Sequence, residues 1–454
     1  MLGYLRRLTI HNLVSPYGLA MFSYAVFLFA WVFPPGVYTG YINEPDLMFL
    51  DPLTFVFYTS CVAAFLFGVW ACRYLGVSTR QVVLPSISTR MPLTYLAIPL
   101  VVASAFCTIY LILLGGKFNF LAMLLSQQGN AIKAANIDGE MTVGGQWRMS
   151  LLCLTTVLWW AYFRAKQLGL QGTTKSIYRA IYLLALAIDT LTCVATVDRT
   201  NLMPLFAGIS VIYFYCKSRA VVVKLTSMIV TAATSLAGAI VAFSFFSFLR
   251  GALAVRLITF ALLGYTITSF NRLSALLGGS MHYLYEGRGV YLSSYLLSAN
   301  RVPLYLGLKD LFGWPTLFQL WQSEFQSTAG AGLNPGFNWP GVFGYLYSDI
   351  GWWTLLYLFC AGLLAGHLWS GFTRGKSLAI VLYPWVAFWV LFWLGWNLLL
   401  DARVLTILEA GIILSVYDRA FTGGRESRWQ SLQGEGVALG APGHTAHSGK
   451  VFDK

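Results

Sequence analysis

Charge is scarce in this chain. Only 10% of its 454 residues are Asp, Glu, Lys or Arg, whereas 57% are hydrophobic and 16% aromatic. Soluble domains carry roughly a quarter charged residues, so this balance excludes a water-soluble globular protein of such length. Histidine is also sparse, with five copies and no HExxH. There is no phosphate-cradling GxxxxGK[ST], no GxGxxG after a strand and no internal repeat, which removes zinc proteases, P-loop enzymes and dinucleotide enzymes from the field. The seven cysteines fall inside or at the ends of apolar runs and lack zinc or redox spacing. They read as small buried hydrophobes.

Long apolar runs are what the chain does have. A helix crosses a bilayer core in about 20 apolar residues, and ten runs are candidates, some of them short: 14–34, 50–72, 92–115, 149–165, 180–197, 202–216, 225–248, 350–371, 377–396 and 403–417. The fold class expected is an all-α integral membrane protein, with residues 1–417 forming one polytopic membrane domain. Basic residues flanking the runs set the direction. With the N-terminus inside, 19 of the 30 Lys and Arg fall on the inner side against four acids, while the outer side carries 11 of each sign. The formal net charge of +13 is therefore a positive-inside signature rather than a nucleic-acid footprint, and both termini are expected in the cytoplasm. The first run follows Arg6 and Arg7 and precedes FPPGVY, with no small-residue cleavage site, so it reads as a retained anchor. Residues 418–454, rich in Gly, Ser and His, read as a disordered cytoplasmic tail.

Two external segments are long, about 116–148 and 249–349, the second lying between the seventh and eighth spans. Eight of the 11 external bases are arginines: Arg148, Arg199, Arg250, Arg256, Arg272, Arg288, Arg301 and Arg403. Arginine grips phosphate bidentately and stays charged when desolvated. Any one of them could simply snorkel or pair with an acid such as Asp198 or Asp401; as a set they point to a shared anionic ligand. Arg199 stands in TVDRTN, six residues between two apolar runs. There Thr200 or Asn201 is placed to cap the sixth span, and a helix N-terminus favours anions.

Three landmarks resemble the oligosaccharide repeat-unit polymerases of bacterial envelopes, the Wzy-type O-antigen and polysaccharide polymerases. One is the turn VDRTN with Arg199. Another is the arginine-bearing stretch after the seventh span, FLRGALAVR and SFNRLSALL, with Arg250, Arg256 and Arg272. The third is the loop LNPGFNWPGVFGYLYSDIGWW leading into two helices with Arg403 between them. The resemblance implies a C-type, membrane-embedded glycosyltransferase of the inner membrane with its active site facing the periplasm. Its donor and acceptor would be oligosaccharides on undecaprenyl diphosphate. The growing glycan would move onto a new repeat unit, releasing undecaprenyl diphosphate, with no cofactor and no metal. It also implies a chain-length regulator as a partner beside the lipid bilayer, and no nucleic acid.

A diphosphate leaving group needs its developing charge neutralised, which preorganised arginines can do. Arg199, Arg250, Arg256, Arg272 and Arg403 are the residues expected to do so, with Arg288 as a further contact. An acceptor hydroxyl also calls for a general base, drawn from Asp198, Glu286, Asp349, Asp401 and His282; Asp349 is the best placed, at the entry to a span. Tyr283, Tyr285, Tyr291, Trp314 and Trp339 serve as interfacial anchors or as platforms for sugar rings. Within the spans, Asp189 and Glu409 read as buried helix–helix hydrogen-bonding groups, or as lining for a polar interior. An O-antigen ligase, transferring glycan to lipid A-core, would carry the same arginines. A lipid-linked oligosaccharide flippase would instead show broken helices in two related halves, and a scaffold would need none of this charge pattern.

Overall fold

The computed structural model of the chain describes residues 13–74, 143–168, 172–195, 199–220, 263–293, 311–401 and 403–418, with isolated positions at 101–102, 104–106, 109, 244 and 260. Among these residues there is no strand. The helices are α1 (Pro16–Trp31), α2 (Pro52–Tyr74), α3 (Val143–Leu168), α4 (Gly172–Ala195), α5 (Arg199–Ala220), α6 (Thr268–Leu277), α7 (Leu317–Gly330), α8 (Gly341–Ile350), α9 (Thr354–Thr373), α10 (Ser377–Leu391) and α11 (403–418). Two stretches, Pro52–Cys72 and Gly341–Thr373, are long and apolar enough to cross a membrane. The expected spans 92–115 and 225–248 lie largely outside the described residues, as do residues 419–454.

Local chemistry sets the helix ends. Ser15 caps α1, accepting from Gly18 N–H at 3.3 Å, and Pro16 occupies the first helical position. Asp51 caps α2 through Thr54 N–H at 2.9 Å. Thr316 and Gln319 form a reciprocal capping box on α7. Gly351, at φ 56°, breaks the run between α8 and α9. Helix α5 already begins at Arg199, so Thr200 and Asn201 lie in its first turn rather than at the capping position expected for them.

Helix α10 is apolar all round and is buried along nearly its whole length, including Trp385 and Trp389, as a helix enclosed by others must be. It packs against α1, α3, α5 and α9. Its polar contacts fix the directions of its neighbours. Tyr383 donates to Val14 O at the start of α1, and Ser23 donates to Val390 O at 2.7 Å, so α1 and α10 run parallel. Trp160, near the end of α3, donates to Ser377 Oγ at 2.9 Å. Arg164 pairs with Asp418 at the end of α11, and Tyr215 near the end of α5 donates to Thr373 O at 3.0 Å. One end of the bundle thus gathers Arg164, Lys166, Lys217, Arg374 and Lys376. The opposite end gathers the start of α5, the links 33–51 and 392–401, and the segments 263–293 and 311–350. Asp418 belongs to α11 and its ion pair, one residue beyond the boundary expected for the tail.

Helices α2 and α9 make the closest crossing. Gly362 and Gly366 stand four apart on α9 and meet Gly68 and Cys72 of α2; a Cβ at Gly362 would overlap Phe65 O, and one at Gly68 would overlap Phe359 O. This is the small-residue contact that lets two apolar helices approach backbone to backbone. Gly362→Leu is expected to force the pair apart and to cost about 3 kcal/mol or more. The check is a lower thermal midpoint in detergent, with a milder loss for Gly366→Ala, whose Cβ would meet Cys72 at 3.0 Å.

Candidate functional site

At the second end, the link after α1 carries Glu44 inward. Glu44 and Arg272 of α6 are each 0% exposed at the side chain and lie 3.0 Å apart. The Glu44 carboxylate accepts from Arg272 Nη1 at 3.3 Å and Nη2 at 3.0 Å, from Asn271 Nδ2 at 2.9 Å and from Asn334 N–H at 3.1 Å. Arg272 also donates from Nε to Phe337 O, from Nη1 to Thr268 O at 3.0 Å and from Nη2 to Asn334 O at 2.7 Å. A guanidinium has five N–H donors, and five bonds are made. Arg272 was expected to meet a phosphate; in this structure it binds the Asn334–Phe337 loop. Removing one partner of such a buried pair typically costs about 3–5 kcal/mol.

The same loop is held a second time, at Asn338. Its Nδ2 donates to Glu324 of α7 at 2.6 Å, while Tyr283 donates to Asn338 O at 3.1 Å. Tyr283, Tyr291 and Tyr345 pack together beside it, with centroids 4.8–6.0 Å apart, so two of the tyrosines expected as anchors or sugar platforms are buried here. Burial pushes the Glu324 carboxyl up to about 8, with hydrogen bonds from Tyr345 and Asn338 pulling the other way. A raised carboxyl favours the protonated folded state. Its contribution to stability is full below the unperturbed value of 4.5 and is lost as pH climbs through about 8, at most about 1.4 kcal/mol per pH unit. Glu324→Gln mimics the neutral form, so its thermal midpoint is expected to fall less than the wild-type midpoint between pH 5 and pH 9. Parallel curves would contradict a buried neutral Glu324.

Asp349 receives a backbone amide. Leu292 N–H donates to Oδ2 at 2.6 Å, and the backbone of residues 289–291 lies close by. It closes the start of the helical residues 290–293 through Oδ2, while Oδ1 is buried and makes no hydrogen bond. His282 is exposed, with its ring nitrogens 3.1 Å from Glu286 Oε1 and 3.1 Å from Gly279 O. Arg288 is exposed at the tip of a turn between Gly287 and Gly289, both at positive φ.

Arg403 opens α11. It holds Asp401 in a bidentate pair, Nε to Oδ1 at 2.8 Å and Nη2 to Oδ2 at 2.8 Å. Its guanidinium lies 5.5 Å from the Trp385 ring centroid and 5.7 Å from that of Trp396, a cation–π cradle. Trp396 Nε1 donates to Asp401 Oδ2 at 3.3 Å. Burial pushes the Asp401 carboxyl up, but the Arg403 charge and the hydrogen bonds from Arg403 and Trp396 outweigh it and hold the carboxyl below the usual range. Beside this pair, Met203, one turn into α5, lines a small apolar recess with Phe388, Phe392, Trp396 and Leu398. The helix that Arg199 begins thus shares a recess with Trp396, the residue that donates to Asp401.

The backbone alone is described at Arg199 and Arg148; Asp198, Arg250, Arg256 and Arg301 lie outside the described residues. Of the two acids within spans, Asp189 is buried and accepts from Thr155 Oγ1 at 2.8 Å, joining α4 to α3 as read from the sequence. Glu409 is exposed, not buried between helices, and the ion pair made by Arg403 is with Asp401. The sequence reading did not single out Glu44, Glu324, Asn334 or Asn338. The available signal was two asparagines in a Pro/Gly loop whose backbone must be satisfied once buried. No group of three or more His, Cys, Asp or Glu with metal-binding geometry occurs among the described residues. No family model, curated protein or solved structure matches this chain.

Proposed function

We propose that the chain is a polytopic membrane glycosyltransferase that lengthens an envelope polysaccharide. It would work on the periplasmic face of the bacterial inner membrane, with ten spans and both termini in the cytoplasm. The growing glycan is transferred from one undecaprenyl diphosphate to a hydroxyl of the next lipid-linked repeat unit. In that step the hydroxyl oxygen bonds to the anomeric carbon and the anomeric carbon–phosphate oxygen bond breaks. The hydroxyl proton passes to a base or to water, and undecaprenyl diphosphate leaves. One observation carries this reading. Met203, one turn into the helix headed by Arg199, and Trp396, which donates to Asp401 and lies against the Arg403 guanidinium, line one small apolar recess. They do so at the end of the bundle opposite Arg164, Lys166, Lys217, Arg374 and Lys376. A helix N-terminus and a fixed guanidinium, aimed where phosphate charge develops, supply stabilisation that costs no reorganisation during transfer. Arg250, Arg256 and Arg288 belong to the same proposed anionic surface.

The genetic test is deletion of the corresponding gene in its host, followed by electrophoresis of surface glycan. The expected product is a single repeat unit in place of a ladder, restored by the wild-type chain. Polymer that still accumulates on the lipid carrier but never reaches lipid A would identify a ligase instead.

A further inference from the structure

The Glu44–Arg272 pair is fully buried, yet it bonds the backbone of a loop that ends against the proposed site. Arg272 fixes the carbonyls of Asn334 and Phe337, and Glu44 fixes the Asn334 amide. Two residues further on, Trp339 packs edge-to-face on Trp396 with centroids 5.1 Å apart. Trp396 in turn donates to Asp401 and carries the Arg403 guanidinium on its ring. We infer that Glu44 and Arg272 are positioning residues for the transfer reaction, acting through the 334–339 loop and the Trp339–Trp396 contact to set Arg403 and Asp401. This rests on the glycosyltransferase reading.

The physical case is one of rigidity. Both charges are buried and mutually satisfied, with seven hydrogen bonds converging on the two side chains. Such a network has one low-energy arrangement, so the loop it holds has one too. Asn338, clamped by Glu324, pins the residue next to Trp339. Trp339 is thereby held from both sides in sequence, between Phe337 and Asn338 on the one hand and Pro340 at the head of α8 on the other. A misplacement of about 1 Å at a reacting group can cost on the order of a hundredfold in rate.

Glu44→Gln separates this role from direct phosphate contact. If Arg272 gripped a phosphate, neutralising Glu44 would release positive charge and lower KM with kcat kept. If the pair positions the loop, kcat falls on the order of tenfold to a hundredfold with KM little changed. The experiment measures elongation in proteoliposomes by folded wild type, Glu44→Gln, Trp339→Leu and the double variant. Because both residues act through one relay, the double variant is expected to lose no more kcat than the worse single one. Independent, multiplying losses would overturn the inference, as would unchanged kcat in Glu44→Gln. Should the Glu44 variants fail to fold, Trp339→Leu decides alone: kcat must fall while the thermal midpoint holds, and unchanged kcat overturns the relay. Wild type inactive in this assay would defeat the functional reading itself; wild type active with Glu44→Gln unimpaired defeats only the relay.

Discussion

Arg403→Ala is expected to abolish polymer formation, with kcat lowered by about a hundredfold to a thousandfold, the cost typical of removing one preorganised donor at a developing oxyanion. Two effects combine. The proposed phosphate grip is lost, and Asp401 is left 5% exposed with an uncompensated charge. Arg403→Lys should rescue little, because one ammonium cannot reproduce two parallel bonds to Asp401 at 2.8 Å or lie flat between two indoles. Arg403→Ala combined with Asp401→Asn separates the two causes. The double change removes the stranded charge, so the thermal midpoint should recover toward wild type while elongation stays absent. Recovery of elongation as well would mean that Arg403 serves only the fold.

Arg199 is the second position where a large loss is expected. It is the first residue of α5, where the unsatisfied N–H groups of a helix carry about half a positive charge. The adjoining turn of α5 places Met203 against Trp396, so charge at the head of this helix adds to that of Arg403. Arg199→Ala is expected to leave single lipid-linked repeat units and no ladder at normal protein level, and Arg199→Lys to give short, sparse chains. A full ladder from the alanine variant would reduce TVDRTN to a helix-starting turn. The anionic seat would then have to be sought at Arg250, Arg256 or Arg288.

Much of the helical layout was legible because a long apolar run needs no partner to announce itself. Helices α1, α2, α3, α4, α5, α9, α10 and α11 each overlap an expected span. The ends were harder. Helix α10 stops at Leu391, five residues before the expected limit, because Phe392 to Gly395 turn the chain although every one of them but glycine is apolar. For the stretch 256–272 the sequence leaves a re-entrant helix or a full span open, with Arg374 and Lys376 arguing against a span. In its described part, α6 is buried around Arg272, bonded to a glutamate 228 residues away. Periodicity carries no information about such a pairing. The same blindness explains the site. Counting external arginines treated Arg272 and Arg403 alike, whereas one is sealed around a loop and the other lies on a tryptophan face with side-chain exposure of 15%. Asp349 stood out by its place before a span, and the amide it receives comes from Leu292, a neighbour visible only in three dimensions.

The central claim is that this chain joins lipid-linked repeat units. Its most direct test is the purified protein in liposomes supplied with one synthetic undecaprenyl-diphosphate-linked repeat unit, following glycan length and released undecaprenyl diphosphate together. The expected result is a ladder of lipid-linked polymer with one diphosphate carrier released per bond formed, lost in the Arg403→Ala protein. Movement of intact lipid-linked units across the bilayer, with no carrier released and no lengthening, would contradict it.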